Sequence, residues 1–138
     1  MSSSVKTKYC VPFTYCASHT IVPGMGDEVD EALDTHLREL RRGSVVLASL
    51  LACRTPRYGY GLLTTLADAG IATEANTLYP LLRRLETQGL LESAWETSES
   101  RPRKYYETTP LGARVAERLH SEWLALSAGY TDLRKAES

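Results

Sequence analysis

Apolar positions along this chain change their period several times, and each change marks an element. Over residues 27–42, Val29, Ala32, Leu33, Leu37 and Leu40 recur at helical spacing, and Asp27, Glu28, Asp30 and Glu31 crowd the front, where a helix dipole favours acids. Gly43 or Ser44 is expected to interrupt this helix. Ser44 can then cap a second one over residues 45–53, whose Val45, Val46, Leu47, Leu50 and Leu51 mark it as central core. Thr55-Pro56 forces a turn. A third helix is predicted over about residues 59–69, burying Leu62, Leu63 and Leu66 and capped by Gly70. Gly61 inside it costs about 1 kcal/mol relative to alanine, which predicts a close neighbour there. Thr73 is placed to cap a fourth helix with Ala75, Leu78, Leu82 and Leu85 as its buried stripe. Asn76, Thr77, Pro80, Arg83 and Arg84 fall mainly on the other side. Pro80 has no N–H for the Asn76 carbonyl, so this helix either kinks or becomes regular only from about Asn76.

After a stop at Gly89 the pattern turns strand-like. Residues 90–96 and 103–108 read as two strands, joined by the polar turn Thr97-Ser98-Glu99-Ser100-Arg101-Pro102 into a hairpin. Tyr105 and Tyr106 point to opposite faces, so one is core and the other accessible. Thr109-Pro110 supplies an N-cap and a first-turn proline for a last helix, residues 110–129, followed by a tail over 130–138. That helix buries Leu111, Val115, Leu119, Trp123 and Leu126 down one side. The stripe is longer than one small domain covers, so a second copy of the chain is the expected partner. Residues 1–26 show no period and end in the breakers Pro23-Gly24-Met25-Gly26. They are expected to form a mobile tail, with Met25 as an alternative start of translation.

With 138 residues and 43% apolar content, the chain can fold around one core without disulfides or metals. Cys10, Cys16 and Cys53 are odd in number and imply no disulfide framework. Cys10, Cys16 and His19 fit no common zinc spacing and lack a fourth ligand, so no metal is expected, and no cofactor. No apolar run reaches the length of a membrane span and the N-terminus has no signal-peptide block, which predicts a cytoplasmic location away from membranes. No nucleophile elbow or phosphate-binding glycine loop is present, so no enzyme is expected. His36 and His120 read as surface or interface histidines on amphipathic helices.

The net charge of −1 argues against a generic polyanion binder, but the charge is unevenly spread. Residues 41–105 carry nine Lys/Arg against six Asp/Glu, whereas residues 27–40 carry six acids and only Arg38. A mildly basic centre thus stands beside an acidic segment, and ligands respond to the local field. The order of parts in that centre is a helix-turn-helix followed by a hairpin with a basic tip, a winged helix-turn-helix. The exposed side of its recognition helix carries Asn76, Thr77, Tyr79, Arg83 and Arg84, groups suited to base edges and phosphates in a major groove. Arg101, Arg103 and Lys104 at the hairpin tip suit the flanking backbone. A solvated helix face and a solvated loop are the plain alternatives for both sets, and Tyr79 equally suits packing beneath the wing.

In these same stretches the chain resembles the PadR family of bacterial transcriptional regulators. The matching residues are Leu40-Arg41-Arg42-Gly43, Tyr58-Gly59-Tyr60, and Thr77-Leu78-Tyr79-Pro80-Leu81-Leu82-Arg83-Arg84-Leu85-Glu86 with Gly89-Leu90-Leu91. Arg103-Lys104-Tyr105-Tyr106 and the stretch from Thr109 to Gly112 complete the set, which spans about residues 37–127. Gly61 departs from the larger residue usual there, and the chain before Leu37 lies outside the pattern. The resemblance implies a mainly α fold with a small β-hairpin, a winged helix-turn-helix plus one C-terminal dimerisation helix. It also implies a homodimer on an inverted repeat of double-stranded DNA, usually a repressor, released by a small molecule or another signal. In some relatives a tryptophan at the position of Trp123 stacks on flat aromatic ligands at the dimer axis. Trp123 and the neighbouring Glu122 are therefore candidates for a planar aromatic effector, against the plainer role of filling the interface. Two other functions remain open on sequence alone: a winged helix serving only as a protein-interaction scaffold, and a small-molecule-binding dimer.

Overall fold

A computed structural model describes residues 25–136. The described chain divides into two units, one before Gly43 and one from Gly43 onward. Helix α1 is Met25–Ala52, and its described part before Gly43 presents an exposed, acid-rich surface laced by Arg38–Asp34 and Arg42–Glu39 ion pairs. The expected break at Gly43 or Ser44 is absent: α1 runs through both without interruption. A single glycine inside a helix costs only about 1 kcal/mol, which the buried Val45, Ala48 and Leu50 that follow it offset. Met25 and Gly26, counted with the tail in the sequence, already belong to α1.

The second unit continues with strand β1, Arg57–Tyr58, and helices α2, Gly59–Asp68, and α3, Ala75–Thr87. Strands β2, Leu91–Glu96, and β3, Arg103–Thr108, form the wing, and helix α4, Pro110–Ala136, closes the chain. The three strands form one antiparallel sheet in the order β1-β3-β2. Arg57 stands opposite Tyr106, and Leu91 to Glu96 run opposite Thr108 to Arg103. The core is the meeting of the apolar stripes: Leu50 of α1, Leu62 and Leu66 of α2, Leu78, Leu82 and Leu85 of α3, and Leu91 of β2 are all essentially inaccessible to water. Tyr106 closes this core from the sheet and Tyr105 stays half-buried, edge-on to Tyr58, so the two alternate as expected.

Helix ends explain how the elements are held. α2 and α3 stop alike: Gly70 and Gly89 adopt positive φ, and the N–H of the next residue reaches back five positions, Ile71 to Leu66 and Leu90 to Leu85. The end of α1 is met by β3, whose Thr108 donates its N–H to the Cys53 carbonyl and its hydroxyl to the Leu50 carbonyl. Thr109 caps α4 as predicted, accepting the Gly112 N–H at 3.0 Å while its hydroxyl donates to the Gly89 carbonyl. Thr73 does not cap α3; Glu74 occupies that place without a side-chain hydrogen bond. Gly61 has the close neighbour its cost implied, because a Cβ there would stand 3.1 Å from the Tyr58 ring.

Two parts of the pattern were invisible in the sequence. β1 has only two residues, too few to show a period, and it is fixed by Arg57, whose guanidinium donates to the Ala52 carbonyl and to the Thr65 hydroxyl. α4 does not end near residue 129 but continues to Ala136, so most of the expected tail is helix. Nor does α4 bury the expected stripe within the chain. Its core-facing residues are Gly112 and Ala116, with Val115 half-buried, while Leu111, Leu119, Trp123 and Leu126 are exposed.

Candidate nucleic-acid interface

Leu78, Leu82 and Leu85 fix the rotation of α3. With that stripe turned inward, Asn76, Pro80, Arg83 and Thr87 lie at the centre of the outward face, and Thr77 and Arg84 occupy one flank. The side chains of Asn76, Thr77, Arg83 and Arg84 are exposed, and none has an ion pair or hydrogen bond to a described residue. They are free for an external partner. Tyr79 sits on the opposite flank, its ring laid over the start of α2, where a Cβ on Gly59 would come within 2.4 Å of it.

The basic wing residues have three different situations. Arg101 is exposed and unpaired among the described residues. Arg103 lies 4.9 Å from the centre of the Tyr58 ring and 3.7 Å from Glu99. Lys104 is turned inward: its Nζ is 3.1 Å from Glu86 Oε2 and passes over the Tyr106 ring. Glu86 also accepts the Ser93 hydroxyl, so one carboxylate ties the end of α3 to both wing strands. The Ser93 and Lys104 hydrogen bonds hold the Glu86 carboxyl below its ordinary pKa.

Between α3, the start of α2 and the wing lies a cleft of about 660 Å³. Its walls are aromatic (Tyr58, Tyr60, Tyr79, Trp95 and Tyr106) and cationic (Arg101, Arg103 and Lys104), and among the described residues no carboxylate lines it. The sequence pointed to Tyr79 and the three cations but not to Tyr58, Tyr60 or Trp95. Strand alternation was the available signal for Trp95, which shares a hairpin face with the buried Leu91.

Along α4 the expected Leu119, Trp123 and Leu126 are exposed and belong to a longer series that Leu111 and Val115 do not share. From the buried Gly112 and Ala116 the series continues through Leu119, Trp123, Leu126, Tyr130 and Leu133, in steps of three and four that make a heptad seam. Trp123 is 48% exposed and lies parallel to His120 with 6.4 Å between ring centres, and Glu122 beside it is exposed. Among the described residues no group of three or more His, Cys, Asp or Glu could hold a metal ion, and no helix is long and apolar enough to cross a membrane. Cys10, Cys16 and His19 lie outside the described residues.

A helix-turn-helix with a two-stranded wing and a free polar face on its second helix is the architecture of a winged-helix transcription regulator. Comparison with known proteins narrows the class. Residues 46–118 match the transcriptional regulator PadR-like family, and the chain belongs to it. It is similar to the crystal structure of a PadR family transcriptional regulator from Eggerthella lenta, with 49% identity and a TM-score of 0.72 over 77% of this chain and 95% of that one. The PadR-like transcription factor of Bacteroides fragilis matches at 29% identity and a TM-score of 0.60, covering 72% of this chain and 98% of that one. The transcriptional regulator Rv3488 of Mycobacterium tuberculosis is 38% identical over 77 residues, 55% of this chain and 72% of that protein. The family consists of DNA-binding transcription regulators rather than enzymes, and the fold, a mainly helical chain with a three-stranded sheet and a long last helix, is theirs.

Proposed function

We propose that this chain acts as a homodimeric repressor that binds an inverted repeat of double-stranded DNA and leaves it when a small molecule or another signal arrives. The observation that carries this reading is the free outward face of α3, Asn76, Thr77, Arg83 and Arg84, placed beside a carboxylate-free cleft at the basic wing. In a major groove Asn76 suits adenine, Arg83 suits guanine, and Thr77 suits a thymine methyl or a phosphate. Arg84, Arg101 and Arg103 supply charge for the flanking phosphates, and Tyr79 borders the cleft. A protein-interaction scaffold would need neither the free arginines nor the cationic wing. A gel-shift with the DNA upstream of its own coding region is the deciding experiment: a discrete, competable complex is expected, and no shift at low salt favours the scaffold.

We place the second subunit on the α4 seam and the effector at its middle. An indole as exposed as Trp123, on a seam expected to pair about a two-fold axis, can face its copy and sandwich a planar aromatic molecule, with Glu122 favouring a cationic one. Saturable quenching of tryptophan emission by such compounds, lost in Trp123→Ala while the dimer persists, is the expected result. A panel that changes neither emission nor DNA binding makes Trp123 an interface residue only.

A further inference from the structure

Trp95 is placed by the register of the wing and left uncovered by the rest of the fold. It stands opposite Lys104, on the same hairpin face as Leu91, Ser93, Tyr106 and Thr108. At its inner end that face is closed: Leu91 is 2% exposed, Tyr106 is 5% exposed, and Ser93 is bonded to Glu86 of α3. One step further out, the Trp95 indole is 64% exposed and forms a wall of the cleft. A large apolar ring held on a strand in water is unfavourable unless a partner covers it.

The chemistry of the cleft selects the partner. The indole lines the same cleft as the arginines of the wing, and Tyr79, on the flank of the outward face of α3, lines it too. Of its three cations, Lys104 is held by Glu86 and Arg103 lies near Glu99, which leaves Arg101 unengaged among the described residues. An apolar wall next to a free guanidinium matches a strand of DNA, in which the apolar edge of deoxyribose alternates with an anionic phosphate. A duplex engaged by α3 brings such a strand past the wing. We propose that Trp95 packs against the deoxyribose of a bound strand, with Arg101 on the adjoining phosphate. The proposal rests on the DNA-binding reading above and adds to it a contact that is neither charged nor sequence-selective. Trp95 therefore contributes affinity without counterion release, whereas Arg101 contributes through it.

The probe is a fluorescein-labelled, mixed-sequence duplex of about three helical turns, titrated by anisotropy over a range of salt concentrations. Trp95→Ala should weaken binding about tenfold at each salt concentration with an unchanged log–log slope, while Arg101→Ala should make the slope shallower by about one per subunit. Duplex should also change the tryptophan emission of the wild-type protein, and that change should be absent from Trp95→Phe, whose remaining indole is Trp123. Binding by Trp95→Ala equal to wild type overturns the proposal. So does wild-type emission that stays constant while anisotropy reports a complex, or a change that survives in Trp95→Phe. A wild-type protein that binds no duplex at all overturns the DNA reading itself, a result distinct from the others.

Discussion

Gly112 shows how one residue can hold a junction of the fold together. A Cβ built on it would stand 2.0 Å from the Leu90 carbonyl oxygen and 2.9 Å from the Thr108 methyl, so backbone, not a movable side chain, bars the space. The same turn of α4 is capped by Thr109, which is itself bonded to the Leu90 and Gly89 carbonyls. Gly112→Ala is expected to lower stability by about 3 kcal/mol, seen as a lower urea midpoint at an unchanged slope. An unchanged midpoint would mean that α4 can lift from Leu90 and Thr108 without cost. Cys53 makes a second residue-scale prediction. Burial pushes its thiol up to about 11, partly opposed by the nearby Arg57 guanidinium. Because this folded value exceeds the unfolded one, the thiol's contribution to stability is complete below about pH 8.5 and is lost as pH rises toward the folded value. In a Cys10→Ser, Cys16→Ser background, Cys53 should therefore react with thiol reagents at neutral pH only as fast as the protein opens. Rapid stoichiometric labelling of native protein would contradict its burial.

Between elements, the Glu86 carboxylate is the joint that aims the wing relative to α3. Both Glu86 and Lys104 keep about a third of their surface in water, so the ion pair alone is worth about 0.5–1 kcal/mol, and its value lies more in geometry than in stability. A double-mutant cycle of Glu86→Gln and Lys104→Ala should show a coupling of that size at neutral pH. Glu86 titrates below the ordinary carboxylate range, so the coupling is present above about pH 4.3 and is lost as pH falls through the lower folded value. Zero coupling at neutral pH would return Lys104 to the phosphate-binding role its place in the sequence suggested. That reversal marks the boundary of what was legible. The leucine period set the phase of α3 and so brought out Asn76 and Arg83, while Gly70, Gly89 and Thr109 announced real helix ends. Lys104 meets a partner 18 positions away, and the cleft is assembled from three separated segments, which no local period can report. Gly43 misled because a helix-weakening residue was read as a helix-ending one.

At the scale of the whole molecule, the unfinished surface is the α4 seam. A helix of 27 residues is about 40 Å long, and after Ala116 its heptad positions Leu119, Trp123, Leu126, Tyr130 and Leu133 are all exposed in the single chain. A series of that length with no cover is expected to pair with a second copy. Sedimentation should report a dimer at micromolar concentration, and Leu126→Lys with Leu133→Lys should yield a monomer that keeps its helical content, because neither residue touches the core. Dimerisation then dictates the DNA geometry. Two recognition helices related by a two-fold axis call for half-sites whose centres lie about one helical turn apart, so a half-turn insertion should abolish tight binding while leaving weak binding to one half. The charge asymmetry sharpens the test. Although the chain carries −1 overall, three to four cations of each subunit face the duplex in this reading, which gives a log–log salt slope of roughly −5 to −7 for the dimer. The seam variants should bind as monomers, with a slope about half as steep and no dependence on half-site spacing. A wild-type monomer at micromolar concentration, or a slope that does not change when the seam is broken, would show that α4 does not bring two reading heads together.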